Sequence, residues 1–325
     1  MSLADIEFSD LLLLPDGTAK LKDGAGSPLR DLPDDCRGDV ENLSNLLLHA
    51  VLEKKHSTLR YTHMNVRYRV AGIKDLDGRQ AWFLRRQPET VPPLTAHGLP
   101  PYLLRWLISP EQRQGLILYS GAQSAGKTTI ASSYVADRLT RYGGHAVTFE
   151  NPAELPLSGP WGNDESKGYC FQLEIQSEAE LPHCIEQAHR YASPDIIYIG
   201  EIRTKYAALE SLRVALGSSR QIVVATIHGL NVITALDRLL TWAREVDGEN
   251  ACQNLSNALL AVIHVQISDI ADGQRAITSP EHMLLPFKEH CLGVRQKLRE
   301  GKINMLGDDM RALKNRIAAG GEDSI

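Results

Sequence analysis

Eight consecutive residues, Gly121-Ala122-Gln123-Ser124-Ala125-Gly126-Lys127-Thr128, spell G-x-x-x-x-G-K-T. That spacing suits a polyphosphate: the glycines let backbone N–H groups close around anionic oxygens, Lys127 reaches the outer phosphates, and the Thr128 hydroxyl can ligate Mg2+. Thr129 follows directly and completes a candidate nucleotide-binding stretch for ATP. Three more chemically capable side chains end apolar runs downstream. Glu150 follows Ala146-Val147-Thr148-Phe149, Glu201 follows Ile196-Ile197-Tyr198-Ile199-Gly200, and His228 follows Val223-Val224-Ala225-Thr226-Ile227. Glu201 is the candidate general base, because water attacking a γ-phosphate must be oriented and must lose a proton. Glu150 and Glu201 are candidate members of the Mg2+ shell together with Thr128, and His228 is a candidate γ-phosphate sensor. Glu154 is a further acid that could reach the metal or simply be a solvated loop residue.

The surrounding residues say how these groups are positioned. Gly115 to Ser120 is a short apolar run of the kind that forms a buried parallel strand, and Ile130, Tyr134, Val135 and Leu139 recur at helical spacing after the loop. Strand, turn and helix start then aim N–H groups and a helix dipole at one point. From residue 102 the pattern alternates. Strands read at 115–120, 145–149, 194–199 and 221–227, and helices at 127–139, 180–190, 204–216, 231–245 and 250–263. This alternation predicts an α/β fold with a doubly wound parallel sheet, spanning residues 102–280. Residues 1–91 read as a small α+β domain, with a helix at 40–54 and strands at 67–72 and 81–84. Clustered prolines make 92–101 a linker, and 281–325 reads as a small C-terminal helical subdomain whose Gly320-Gly321 and acidic end are expected to be disordered.

Composition narrows the function. A formal charge of −5 supplies no global field for nucleic acid, which counts against a helicase or DNA translocase. Apolar runs such as Ile222–Ile227 are far shorter than the ~18 residues of a membrane span. The N-terminus has no basic leader, and the five cysteines form no C-x-x-C pair, so a reducing cytoplasm is expected, without a disulfide framework or zinc knuckle.

The order and spacing of the four elements resemble the secretion ATPase superfamily of type IV pili, type II secretion and type IV secretion. Gly121–Thr128 is similar to its Walker A loop, Thr148–Glu154 to its acidic box, Ile196–Arg203 to a Walker B ending G-E-x-R, and Thr226–His228 to its His box. Leu255–Ile263, Leu298–Ile303 and Phe8–Leu11 resemble further segments of pilus-retraction (PilT-like) ATPases. The lack of a tetracysteine insert favours that compact branch or the Dot/Icm-like one. The resemblance implies an N-terminal PAS-like α+β domain, a RecA-like P-loop NTPase domain and a homohexameric ring. Such a ring would sit at the cytoplasmic face of the inner membrane, driving a platform protein. It also implies that Arg67, Arg69 and Arg85 reach the nucleotide cleft, and that Arg203 belongs there, linking the Walker B strand to a neighbouring element. Arg190 matches a family arginine with one extra intervening residue. Departures are Asn151 for the acidic-box aspartate, Thr204 for an acid, and Ser219-Arg220-Gln221 for T-G-H. These leave Lys127, Thr128 and Glu201 in place, so hydrolysis is expected, with rate and coupling open to change. A small-molecule kinase, a DNA translocase and an ATP-gated scaffold with impaired hydrolysis remain as alternatives.

Overall fold

The computed structural model describes residues 2–24, 26–54, 58–163, 167–175, 177–269, 275–277, 280–286 and 288–318. The chain folds into two compact units, one ending at Thr90 and one beginning at Val91.

The first unit contains strands β1 (Asp10–Leu13), β2 (Ala19–Lys22) and β3 (Arg30–Asp31), helix α1 (Arg37–Lys54), then β4 (Thr58–His63), β5 (Val66–Lys74) and β6 (Gln80–Arg86). The strands pair antiparallel in the order β3-β2-β1-β6-β5-β4. Period-two alternation gives the sheet one buried face. In β5, Val66, Tyr68 and Val70 are buried while Arg67 and Arg69 are exposed. Val40, Leu43 and Leu47 of α1 join Leu11, Leu21 and Leu84 in that core.

The second unit opens with α2 (Pro101–Leu107) and β7 (Gly115–Gly121), followed by α3 (Lys127–Tyr142), β8 (Gly144–Glu150), β9 (Gly159–Gly162) and β10 (Lys167–Glu174). Next come α4 (Leu181–Gln187), β11 (Ile196–Ile202), α5 (Lys205–Leu216), β12 (Ile222–His228), α6 (Val232–Asp247), α7 (Asn250–Ala258) and β13 (Leu259–His264). A small pair, β14 (Ile267–Asp269) and β15 (Arg275–Ile277), precedes β16 (Glu281–Leu284), α8 (Leu292–Arg299) and α9 (Leu306–Ala318). The main sheet runs β16-β13-β7-β12-β11-β8-β10-β9, parallel from β13 to β10 with an antiparallel strand at each edge. Its central strands are apolar on both faces: Leu116 and Leu118 of β7 pack into one core, Ile117 and Tyr119 into the other. Near-continuous apolar strands of this kind need helices on both sides.

Several sequence expectations need correction. Residues 250–263 are a helix only to Ala258; Leu259–His264 form a strand beside β7, because an apolar run buried on both faces carries no period that tells helix from strand. The helix expected over 180–190 ends at Gln187 and continues as a π-helical turn over Ala188–Ala192. Residues 281–284 form a sheet strand rather than opening a helical segment, and the two C-terminal helices follow it. Within the proline-rich stretch 92–101, Leu94 and Leu99 are buried in the second unit's core. Gly320, Gly321 and the acidic end lie outside the described residues.

Candidate active site

Parallel strands carry their carboxyl ends to one edge, and here that edge collects the chemically capable residues. Gly121 ends β7, Glu150 ends β8, Glu201 sits at the end of β11 and His228 ends β12. His228 lies in register with Gly121, and Ile199 with Phe149. Such an edge is where open α/β sheets bind ligands.

The loop from Gly121 to Gly126 passes into α3 through Gly126, whose φ of 83° is the left-handed region that suits glycine. Ala122, Gln123 and Ser124 are exposed, Ala125 is buried, and Thr128 and Thr129 are half-buried in the first turn of α3. Lys127 is buried, and its Nζ donates to the Ala122 carbonyl at 2.7 Å. Burial pulls its ammonium below the usual lysine range; the Glu201 and Glu154 carboxylates oppose that shift and the Arg203 guanidinium adds to it. These four side chains therefore share one electrostatic environment.

Glu150 is almost fully buried, and its carboxylate is held by named donors. The Thr148 hydroxyl and the Gln172 amide both donate to Oε1, each at 2.8 Å. Gln172, on β10, also donates to the Leu155 carbonyl at 2.8 Å and accepts from the Leu157 and Ser158 N–H groups at 3.2 and 3.3 Å. One amide thus ties the acidic-box loop to Glu150. Gly200 packs against Glu150, since a Cβ there would lie 3.0 Å from the Glu150 Cγ. A Cβ at this position would require Glu150 to give way by a few tenths of an ångström.

Glu201 stands on an irregularity: the β11–β12 register shifts by one residue between Ile199 and Ile202. Bulges of this kind re-aim a side chain at the end of a strand. The Thr226 hydroxyl donates to the Gly200 carbonyl at 2.5 Å and fixes the displaced backbone. Arg203 Nε donates to Glu201 Oε2 at 2.7 Å, and its Nη2 meets the same oxygen. On the other side His228 Nε2 lies 2.7 Å from Glu201 Oε1. Burial, Lys127 and the nearby arginines pull the His228 imidazole below the ordinary histidine value, while Glu201 opposes that shift. Arg238 holds the His228 backbone, donating to its carbonyl at 2.9 Å. Arg203 Nη1 also lies 3.8 Å from Oε1 of Glu178, in the turn before α4.

The structure thus brings Lys127, Glu201, Arg203 and His228 together, with Glu150 packed beside Gly200. Arg67, Arg69 and Arg85 belong to the first unit, where they share one exposed sheet face. Arg69 lies opposite Arg85 in register, and Arg85 Nε donates to Asp10 at 2.7 Å. Among the departures, Thr204 caps α5, accepting from the Ala207 N–H at 3.3 Å. Gln221 is buried at the opposite end of β12, where its amide donates to the Pro194 carbonyl at 2.8 Å. It stands seven residues before His228, about 23 Å along an extended strand. The lost histidine is therefore remote from the strand-end edge. Asn151 is exposed, and Arg190 pairs with Glu186 at 3.3 Å on the amino-terminal side of β11. Sequence reasoning missed Gln172 and Glu178. Neither belongs to a spaced motif, and only pairing in space reveals them.

A family model described as "Type II/IV secretion system protein" matches residues 85–306. The chain belongs to that family. Among its relatives, the type IV pilus ATPase PilU of Pseudomonas aeruginosa is 27% identical over 194 residues, covering 59% of this chain and 47% of PilU. The chain spans about half the length of the curated relatives it matches. Its fold is similar to that of the pilus retraction motor PilT with bound ADP, at a TM-score of 0.75 and 22% identity, covering 95% of this chain and 87% of PilT. It is also similar to the Legionella pneumophila ATPase DotB, at 0.69 and 21%, covering 92% of this chain and 83% of DotB.

Proposed function

We propose that the chain is an ATP-hydrolysing motor subunit of a type IV pilus or secretion machine. The observation that carries this reading is the convergence of Lys127, Glu201, Arg203 and His228 at one strand-end edge beside the phosphate loop. In this reading Lys127 leaves the Ala122 carbonyl for the outer phosphates, Glu201 orients the attacking water and accepts its proton, and His228 donates to a γ-phosphate oxygen. The ATPases PilU and DotB, and PilT with its bound ADP, support the assignment.

The donor chemistry fits Mg2+. Thr128 offers a hydroxyl, and Glu150 and Glu201 offer carboxylates, all hard oxygen ligands. Among the described residues no group of three or more His, Cys, Asp or Glu side chains could hold a metal alone. That suits an ion taking few protein ligands and completing its shell with phosphate oxygens and water. Thr128, Glu150 and Glu201 would hold the ion, which when bound would supply positive charge against the charge developing on the phosphates. Glu150, fixed by Thr148 and Gln172, would be held ready for that shell.

The first unit, read as PAS-like, would turn its arginine face to the phosphates bound by a RecA-like second unit, within a homohexamer. Like charges opposite one another weaken a sheet, and Arg69 faces Arg85 directly. Asp10 offsets that cost at Arg85, and a bound anion would offset it further at Arg69. Such a ring would work at the cytoplasmic face of the inner membrane, against a platform protein; among the described residues no helix is long and apolar enough to cross a membrane. The test is phosphate release by the purified protein. Activity that Lys127→Ala abolishes supports the motor; no release by the native chain under any nucleotide would leave the scaffold reading.

A further inference from the structure

Glu178 belongs to none of the motifs, yet it shares Arg203 with the candidate base. The turn that carries it is fixed by the Leu181 N–H donating to the Glu178 carbonyl at 3.3 Å. Its Oε1 lies 3.8 Å from Arg203 Nη1, while its Oε2 is buried with no hydrogen-bond partner among the described residues. A buried carboxylate oxygen without a donor is costly, so an arrangement that supplies one is favoured. On Glu201 it is Oε2 that is occupied, by two Arg203 nitrogens, while Oε1 lies 2.7 Å from His228 Nε2 but has no hydrogen-bond partner among the described residues. The Oε2 edge of Glu201, which could orient water, is taken up by the guanidinium.

Resting on the hydrolytic reading above, we propose that Glu178 is a positioning residue, the second seat of the Arg203 guanidinium. When Arg203 moves onto Glu178, its planar fork can satisfy both Glu178 oxygens, and the Oε2 edge of Glu201 opens to water. The movement is small. Arg203 Nη1 must travel about 1 Å to reach charge-assisted bonding distance, and the Arg203 side chain is half exposed, with room to exchange its two bonds to Glu201 for bonds to Glu178. Arg203 thereby sets when Glu201 is available, and Glu178 sets where Arg203 goes.

The test compares Glu178→Gln, Arg203→Lys and the double variant with the native protein, in kcat, KM for ATP, affinity for a fluorescent ATP analogue and thermal unfolding. Glu178→Gln keeps the shape and removes the charge that seats the guanidinium. It should lower kcat about tenfold with KM and analogue affinity within about twofold, and with an unchanged melting temperature. Arg203→Lys loses the fork, so adding Glu178→Gln to it should cost nothing more. Unchanged kcat in Glu178→Gln, a loss confined to KM, or additive losses in the double variant would each overturn the proposal. The parent reading fails separately: it falls if Glu201→Gln turns over ATP at the native rate, whatever Glu178 does.

Discussion

At the residue scale the site is built from side chains that hold one another. Gln172 is the plainest case, because one amide donates to Glu150 and to the acidic-box loop and also accepts from that loop. Gln172→Leu keeps the volume but strips those contacts. It should lower kcat about tenfold and cost roughly 1–3 kcal/mol of stability, since a buried carboxylate loses a donor; steady-state kinetics and denaturant unfolding check both. His228→Ala removes the imidazole proposed to donate to the γ-phosphate, so turnover should fall about 100-fold with ATP affinity little changed. The phosphate loop, Glu150, Glu201 and His228 were legible in the sequence because each ends an apolar run or fits a fixed spacing. Gln172 and Glu178 were not: each is an ordinary polar residue whose meaning comes from a partner distant in sequence.

At the element scale the parallel strands do the positioning, and the register shift in β11 aims Glu201. That shift lies outside what apolar periodicity can show, since Ile196–Ile202 reads as one plain strand. The break between α7 and β13 was equally hidden, and the structure supplies its reinforcement. Arg295 of α8 is buried and donates to the Leu259 and Leu285 carbonyls at 3.2 and 2.5 Å and to the Ser256 carbonyl, at the negative end of α7. The Ser256 hydroxyl donates back to the Arg295 carbonyl at 2.8 Å. Burial pulls the Arg295 pKa down, so its charge is held at a cost that these carbonyls offset. Arg295→Met should lower the second unit's melting temperature by roughly 5–10 °C, measured by calorimetry, because several carbonyls lose their donor in a domain of this size.

At the scale of the whole molecule, the division between an α+β unit and an α/β unit was readable from the change in pattern around the prolines. The packing of Leu94 and Leu99 into the second unit was not, because proline content signals irregular backbone and says nothing of burial. The arginine face of the first unit makes a prediction at this scale. If Arg69 and Arg85 act on nucleotide held by another subunit, Arg69→Ala and Arg85→Ala should lower turnover while leaving ATP binding to dilute protein unchanged, and native specific activity should rise with protein concentration. The most direct measurement is a paired one on Glu201→Gln, scoring bound ATP and released phosphate in the same sample with Mg2+. The account predicts ATP retained at native stoichiometry and phosphate release reduced by about 100-fold or more. Release at the native rate would contradict it.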